Sequence, residues 1–135
     1  MSLDVFINFD GDCREALGFY TKVFCLDMPT NIMTYGDNPH GNAWGDGSRI
    51  LYASLPIFGG NVMFSDCPEG SDYVKGTNIA LTLGISDEAE ITRLYNALVD
   101  GGVALMPLGK TFFSELYGMV TDRFGITWQI SKSAL

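Results

Sequence analysis

Slid against itself by 74 residues, the sequence lays Ile7 on Leu81, Phe9 on Leu83, Asp12 on Ser86 and Leu17 on Ile91. An internal repeat constrains a fold strongly, because each copy must form the same supersecondary unit. The first copy, "DVFINFDGDCREALGFYTKVF", reads as a short strand, a turn and an amphipathic helix with Ala16, Leu17, Tyr20 and Phe24 on one face. Asp12 is a natural N-cap, and Glu15 three residues on completes a capping box. The second copy, "TNIALTLGISDEAEITRLYNALVDGG", repeats the plan. Here Ser86 caps, Asp87 and Glu88 complement the helix dipole, and Ile91, Leu94, Tyr95 and Leu98 form the stripe. Gly101-Gly102 ends that helix in a left-handed conformation.

Each helix is followed by a hairpin rich in β-branched and aromatic residues. The first, "RILYASLPIFGGNVMFSD", turns at Gly59-Gly60; the second, "YGMVTDRFGITWQIS", turns on Asp122 and Gly125. Asp at the head of a turn bonds the N–H groups ahead of it, and Gly accepts the positive φ that closes the loop. The unit is therefore β-α-β-β-β, with the join near residues 67–77. Strands are predicted near 4–9, 30–35, 49–56, 61–66, 78–84, 103–106, 118–122 and 126–131, and helices near 13–25 and 87–100.

Composition narrows the function. The 135 residues form one domain with module one at about 1–66 and module two at about 77–132. A formal net charge of −8 opposes nucleic-acid binding, which depends on Lys and Arg neutralising phosphates. No apolar run reaches the ~20 residues that span a bilayer. Cys13, Cys25 and Cys67 are odd in number and lack C-x-x-C spacing, which fits reduced thiols in a cytoplasmic protein. The single histidine, His40, makes a multi-histidine metal site impossible.

Two β-α-β-β-β modules in one short chain resemble the vicinal-oxygen-chelate (glyoxalase/bleomycin-resistance/dioxygenase) superfamily. "INFDGDCREALGFYTKVF", "VMFSD" and "YGMVTDRFGITWQI" are similar to the opening helix, mid-chain strand and closing hairpin of its PhnB-like branch. Three positions depart from the branch: Cys25 stands where a glycine is usual, Arg123 for proline, and Leu116 for a frequent arginine. The resemblance implies an α+β fold whose two modules form a cupped, mostly antiparallel sheet with the helices outside and a ligand in the cup. It implies a homodimer, and a divalent metal held by His, Glu or Gln from four strands. Family labels also speak of DNA binding or ubiquinone methyl transfer. Charge opposes the first, and no strand here is followed by the G-x-G-x-x-G turn for the second.

Strand alternation puts Asp4, Phe6 and Asn8, and likewise Asn78, Ala80 and Thr82, on the cup face. The resemblance implies a ligand about four residues after each turn glycine, which adds Phe64 and Gln129. The four ligand positions then read Asp4, Phe64, Asn78 and Gln129. A phenyl ring cannot ligate and the amides are weak donors, so no metal and no other cofactor is expected. Trp128 and Ile130 should face the helix. Glu115 and Tyr117 are further cup candidates, since their polar tips need a partner. His40 and Trp44, in the Gly- and Asn-rich stretch "YGDNPHGNAWGDGS", are candidates for a lid over the cup. Cys67 has no basic residue near it in sequence to activate it. The favoured reading is a metal-independent small-molecule binding protein. The alternatives are a metal-dependent lyase, isomerase or dioxygenase, and an acidic interaction module with a vestigial cup.

Overall fold

Alternation of apolar and polar residues in Val5–Phe9 gives β1, with Ile7 and Phe9 buried and Phe6 and Asn8 exposed. The computed structural model describes residues 1–37 and 45–133. It divides into two compact units, Met1–Val74 and Lys75–Leu135.

In the first unit β1 leads to α1 (Cys13–Val23), then β2 (Met33–Thr34), a 3-10 turn at Tyr35–Asp37, β3 (Ile50–Ile57) and β4 (Gly60–Asp66). The sheet order is β1-β4-β3-β2, with β1 parallel to β4 and the other pairs antiparallel. The second unit follows the same plan: β5 (Ala80–Ile85), α2 (Glu88–Val99), β6 (Val103–Gly109), β7 (Tyr117–Thr121) and β8 (Thr127–Lys132), in the order β5-β8-β7-β6. This is the α+β, β-α-β-β-β architecture that the repeat implies. Among the described residues no helix is long and apolar enough to cross a membrane.

Each helix lies on one face of its own sheet. From α1, Ala16, Leu17 and Tyr20 are fully buried, and the Tyr20 ring meets Phe64 of β4 at 5.8 Å between centroids. From α2, Ile91, Leu94 and Leu98 are buried, and Tyr95 packs where a side chain on Gly118 of β7 would collide with it at 2.7 Å. Gly118 is therefore the gap that lets the Tyr95 ring reach the sheet, and the Tyr95 hydroxyl goes on to donate to the Met106 carbonyl at 3.0 Å.

The helix ends correct the sequence reading. Asp12 occupies the N-cap position of α1, but its side chain makes no capping hydrogen bond. Asp66, at the end of β4 and 2% exposed, takes that role from a distance. Its Oδ1 accepts from Gly11 N (2.8 Å) and Cys13 N (3.0 Å), and its Oδ2 from Ile50 N (2.9 Å). In α2 the cap is Asp87, not Ser86, accepting from Ala89 N at 3.1 Å. The C-terminus of α1 ends in a Schellman pattern, Leu26 N to Thr21 O and Cys25 N to Lys22 O, with Cys25 at φ 54° in the left-handed region. The family's usual glycine suits that backbone.

Strand β2 is shorter than predicted. Its register shifts between Met33 and Thr34, and Tyr35 N and Gly36 N then bond Arg49 O and Gly47 O, bending the chain into the 3-10 turn. The first hairpin turns on Phe58-Gly59, one residue earlier than the sequence suggests, with Ile57 opposite Gly60. The second spans the longer loop 122–126, because Thr121 pairs with Thr127. There Asp122, 3% exposed, accepts from Phe124 N, Ile126 N and Trp128 Nε1, and Gly125 sits at φ 86°.

Candidate functional site

Alternation leaves each sheet with a second face that its own helix does not cover. In the first unit Ile7, Ala53 and Phe64 stand side by side toward α1. The opposite face carries Phe6, Asn8, Met63 and Ser65. Ser65 Oγ donates to Asn8 Oδ1 at 2.8 Å across the β1–β4 pair, and Phe6 meets Tyr52 at 6.4 Å. Phe64 is thus corrected from the cup to the core. It is fully buried between Phe9 and Tyr20, and the residue of β4 on the helix-free face is Ser65.

The second unit has the richer face. Gly118 faces Tyr95 of α2, and the register makes Ile130 and Leu83 its neighbours, so Trp128 and Ile130 point toward the helix. Gln129 therefore points the other way, beside Thr82 on β5 and Met119 on β7. Tyr117 shares this face, and its hydroxyl donates to Gln129 Oε1 at 2.8 Å. The Phe113 ring stands nearly perpendicular to Tyr117, with centroids 5.0 Å apart, and Phe112 repeats that relation to Phe113 at 5.2 Å. The loop carrying both phenylalanines is pinned at its base. Thr111 Oγ1 accepts from Ser114 N at 3.0 Å, Thr111 N donates to Ser114 O at 2.9 Å, and Ser131 Oγ donates to Ser114 Oγ at 3.1 Å.

The equivalent pairs of the two units are Asn8–Ser65 and Thr82–Gln129. Amide and hydroxyl have exchanged strands. In the first unit they bond each other; in the second the amide oxygen is bonded by Tyr117 instead.

The remaining candidates scatter. Asp4 lies just before β1, exposed, accepting from Ser2 Oγ at 2.9 Å. Asn78 lies just before β5, also exposed. Glu115 is corrected: it pairs with Lys132 at 3.1 Å, and Lys132 reaches Glu88 at the start of α2 at 3.6 Å. Lys132 alternates in phase with Trp128 and Ile130, so Glu115 is engaged on the helix side and not beside Gln129. Its carboxylate is the main reason the Lys132 ammonium is held above the usual lysine range. His40 and Trp44 lie outside the described residues.

Cys67 does have a basic neighbour, brought from 18 residues away. Arg49 Nη1 donates to Cys67 O at 2.9 Å and to Asp10 Oδ1 at 3.0 Å, while Cys67 Sγ donates to Asp10 Oδ1 at 3.4 Å. Arg49 Nη1 also reaches Cys67 Sγ at 3.9 Å, but it is outweighed: Arg49 holds Asp10 below the usual range, whereas burial, then Asp10, push the Cys67 thiol up. The thiol stays protonated and is a poor nucleophile.

A divalent ion does not fit these groups. The amide oxygens of Asn8 and Gln129 are neutral, weak ligands, and each already gives one of its two lone pairs to a hydrogen bond. A serine or threonine hydroxyl beside them is no substitute for His, Cys or carboxylate. Sequence reasoning missed Ser65. Its signal was the strand pairing: Ser65 lies opposite Asn8 as Gln129 lies opposite Thr82.

Similar proteins share this fold. YjdN of Escherichia coli K12 is 28% identical, over 97% of this chain and 95% of its own. PA1353 of Pseudomonas aeruginosa is 33% identical, with a TM-score of 0.84 over 98% of both chains. A Bacillus cereus structure described as a putative 3-demethylubiquinone-9 3-methyltransferase, PhnB protein, is 26% identical, with a TM-score of 0.84 over 98% of this chain and all of that one. The fosfomycin resistance protein FosX of Listeria monocytogenes, 12% identical with a TM-score of 0.65 over 100% of this chain and 94% of its own, shares the fold. Its fold is glyoxalase-like, and the family profile described as 3-demethylubiquinone-9 3-methyltransferase matches residues 2–131, so the chain belongs to that family.

Proposed function

We propose that this chain is a PhnB-like protein that binds a small organic molecule on the helix-free face of its second sheet, without a metal. The observation that carries the reading is the Tyr117–Gln129 hydrogen bond. It fixes the Gln129 amide beside Met119 and next to Tyr117, whose ring meets Phe113, which is the usual make-up of a ligand site: mostly apolar, with a few oriented polar groups. Methyl transfer, the activity in the family's description, is not carried over to this chain. Among the described residues, the strands of the second sheet bring no histidine, cysteine or carboxylate to the face that holds Gln129.

The test is a ligand screen by two-dimensional NMR on protein purified without chelator, with metal content measured alongside. The reading expects sub-stoichiometric divalent metal, and ligands that shift the Gln129 side-chain amide whether or not EDTA is present. A stoichiometric ion required for binding would replace it with the metal-dependent lyase or isomerase.

We also infer a cytoplasmic homodimer. The edge strand β6 exposes Val103, Leu105 and Met106, and an apolar strand edge left bare invites pairing. Sedimentation at micromolar concentration should show a species of twice 14.7 kDa; a monomer alone would refute it.

A further inference from the structure

The loop 110–116 presents two large aromatic side chains where burial would be expected. Phe112 is fully exposed and Phe113 is 58% exposed, although apolar rings of this size gain most from leaving water. The loop is not free to fold them inward, because Thr111 and Ser114 tie it to itself and Ser131 ties it to β8. The rings form a ladder, Phe112 to Phe113 to Tyr117, each nearly perpendicular to the next, and the ladder ends at the Gln129 amide. Ring contacts of this kind favour a further aromatic partner, by offset stacking or edge to face.

The polarity at the end of the ladder is also set. The Tyr117 hydroxyl bonds Gln129 Oε1, so what the amide offers outward is its NH2 group, a donor of two protons. Among the described residues no group accepts from it. A ligand presenting only an N–H at that point would set donor against donor; one with a carbonyl or ether oxygen would be received.

Resting on the small-molecule reading above, we propose that the ligand is a planar aromatic ring system bearing a neutral oxygen acceptor, its ring against Phe113 and Phe112 and its acceptor oxygen on Gln129 Nε2. Phe113 then selects for planarity and Gln129 for the acceptor. No bond is made or broken in this binding.

Three small probes separate the terms: coumarin (planar, carbonyl acceptor), indole (planar, N–H donor) and cyclohexanone (acceptor, not planar). Each is titrated into the full chain while the Gln129 side-chain amide and the Phe113 and Tyr117 backbone amides are followed by NMR. Coumarin should shift all three and bind at least about tenfold more tightly than either other probe. Phe113→Ala should weaken coumarin about three- to tenfold, the share of an aromatic pair, and Phe113→Tyr should restore it. Gln129→Glu, which accepts but cannot donate, should lose it. Phe113 is exposed, so its variants keep the fold, and an unchanged melting temperature is required of all three variants. Indole or cyclohexanone binding at Gln129 as tightly as coumarin, or Phe113→Ala without effect, overturns the proposal while leaving the general binding reading intact. If no probe and no member of an unbiased screen perturbs this face at millimolar concentration, both fall.

Discussion

Asp66 lies more than fifty residues from the helix it caps, and its removal measures how much that helix start depends on the sheet. Three backbone N–H groups converge on its carboxylate: Gly11, Cys13 and Ile50, at 2.8, 3.0 and 2.9 Å. Hydrogen bonds to a charged acceptor contribute roughly 1.5–3 kcal/mol each, and an orphaned buried donor costs about 1–3 kcal/mol. Gly11 N is only part-buried and can recruit water, whereas Cys13 N and Ile50 N are buried. Two stranded donors and one rehydrated donor put Asp66→Ala at a loss of about 3–4 kcal/mol. At roughly 3–4 °C per kcal/mol for a chain of this size, the melting temperature should fall by about 10 °C or more.

Asp66→Asn refines the test. Its oxygen can still serve Gly11 and Cys13, but its NH2 would face Ile50 N–H, so about half the loss is expected. The control is Asp12→Ala. Asp12 looks like the cap in the sequence yet bonds nothing as one, so its loss should stay within about 0.5 kcal/mol. Urea unfolding of the three variants gives the comparison. If Asp12→Ala costs as much as Asp66→Ala, or Asp66→Ala costs under about 1 kcal/mol, the remote cap is not what holds the helix start.

Further outcomes follow from other contacts. Cys25→Gly should raise stability by about 1 kcal/mol in the same assay, since a side chain at φ 54° is strained, and Cys25→Val should lower it. Gly102→Ala should cost more than about 3 kcal/mol, because its new Cβ would strike the Thr121 carbonyl. Arg123, donating through Nε and Nη2 to Asp100 O at the end of α2, is substantially exposed; Arg123→Ala should cost about 0.5 kcal/mol or less by urea unfolding. Alkylation followed by mass spectrometry should modify the exposed Cys25 first. Cys67 should follow slowly and faster with rising pH, because its raised pKa leaves little thiolate at neutrality. Cys13, buried and pushed far up by that burial, should react only on unfolding.

What the sequence disclosed was local. The helical stripes, the alternation in β1 and β8, and the turn built on Asp122 and Gly125 each lie within a few residues of their cause. The caps were illegible for the opposite reason: Asp12 has the right residue type at the right place, but a carboxylate arriving from the end of β4 bonds the same amides. Glu115 was misplaced because no periodicity runs through loop 110–116 to say which side it leaves on. The Phe64 error has a definite source. Counting from the turn glycine assumes hairpins of equal loop length, yet the first turns on Phe58-Gly59 and the second on residues 122–126. A slip of one residue carries a strand side chain to the other face of the sheet.

Strand pairing corrects that slip and also shows where the two halves cease to be copies. Phe64 stands beside Ile7 as Trp128 stands beside Leu81, so an aromatic fills the core position in both units. One residue on, Ser65 and Gln129 differ. In the first unit the cross-strand pair Asn8–Ser65 bonds within itself, whereas in the second Tyr117 reaches across from β7, holds the Gln129 oxygen and leaves the NH2 group to face outward. The aromatic loop that continues from Tyr117 is tied to the second sheet by Ser114 and Ser131. Repetition therefore accounts for the scaffold, since both halves must bury the same stripe against the same kind of sheet. The departures from repetition on the open face concentrate on β7, β8 and the loop before them, which is where the proposed binding reading puts the protein's selectivity.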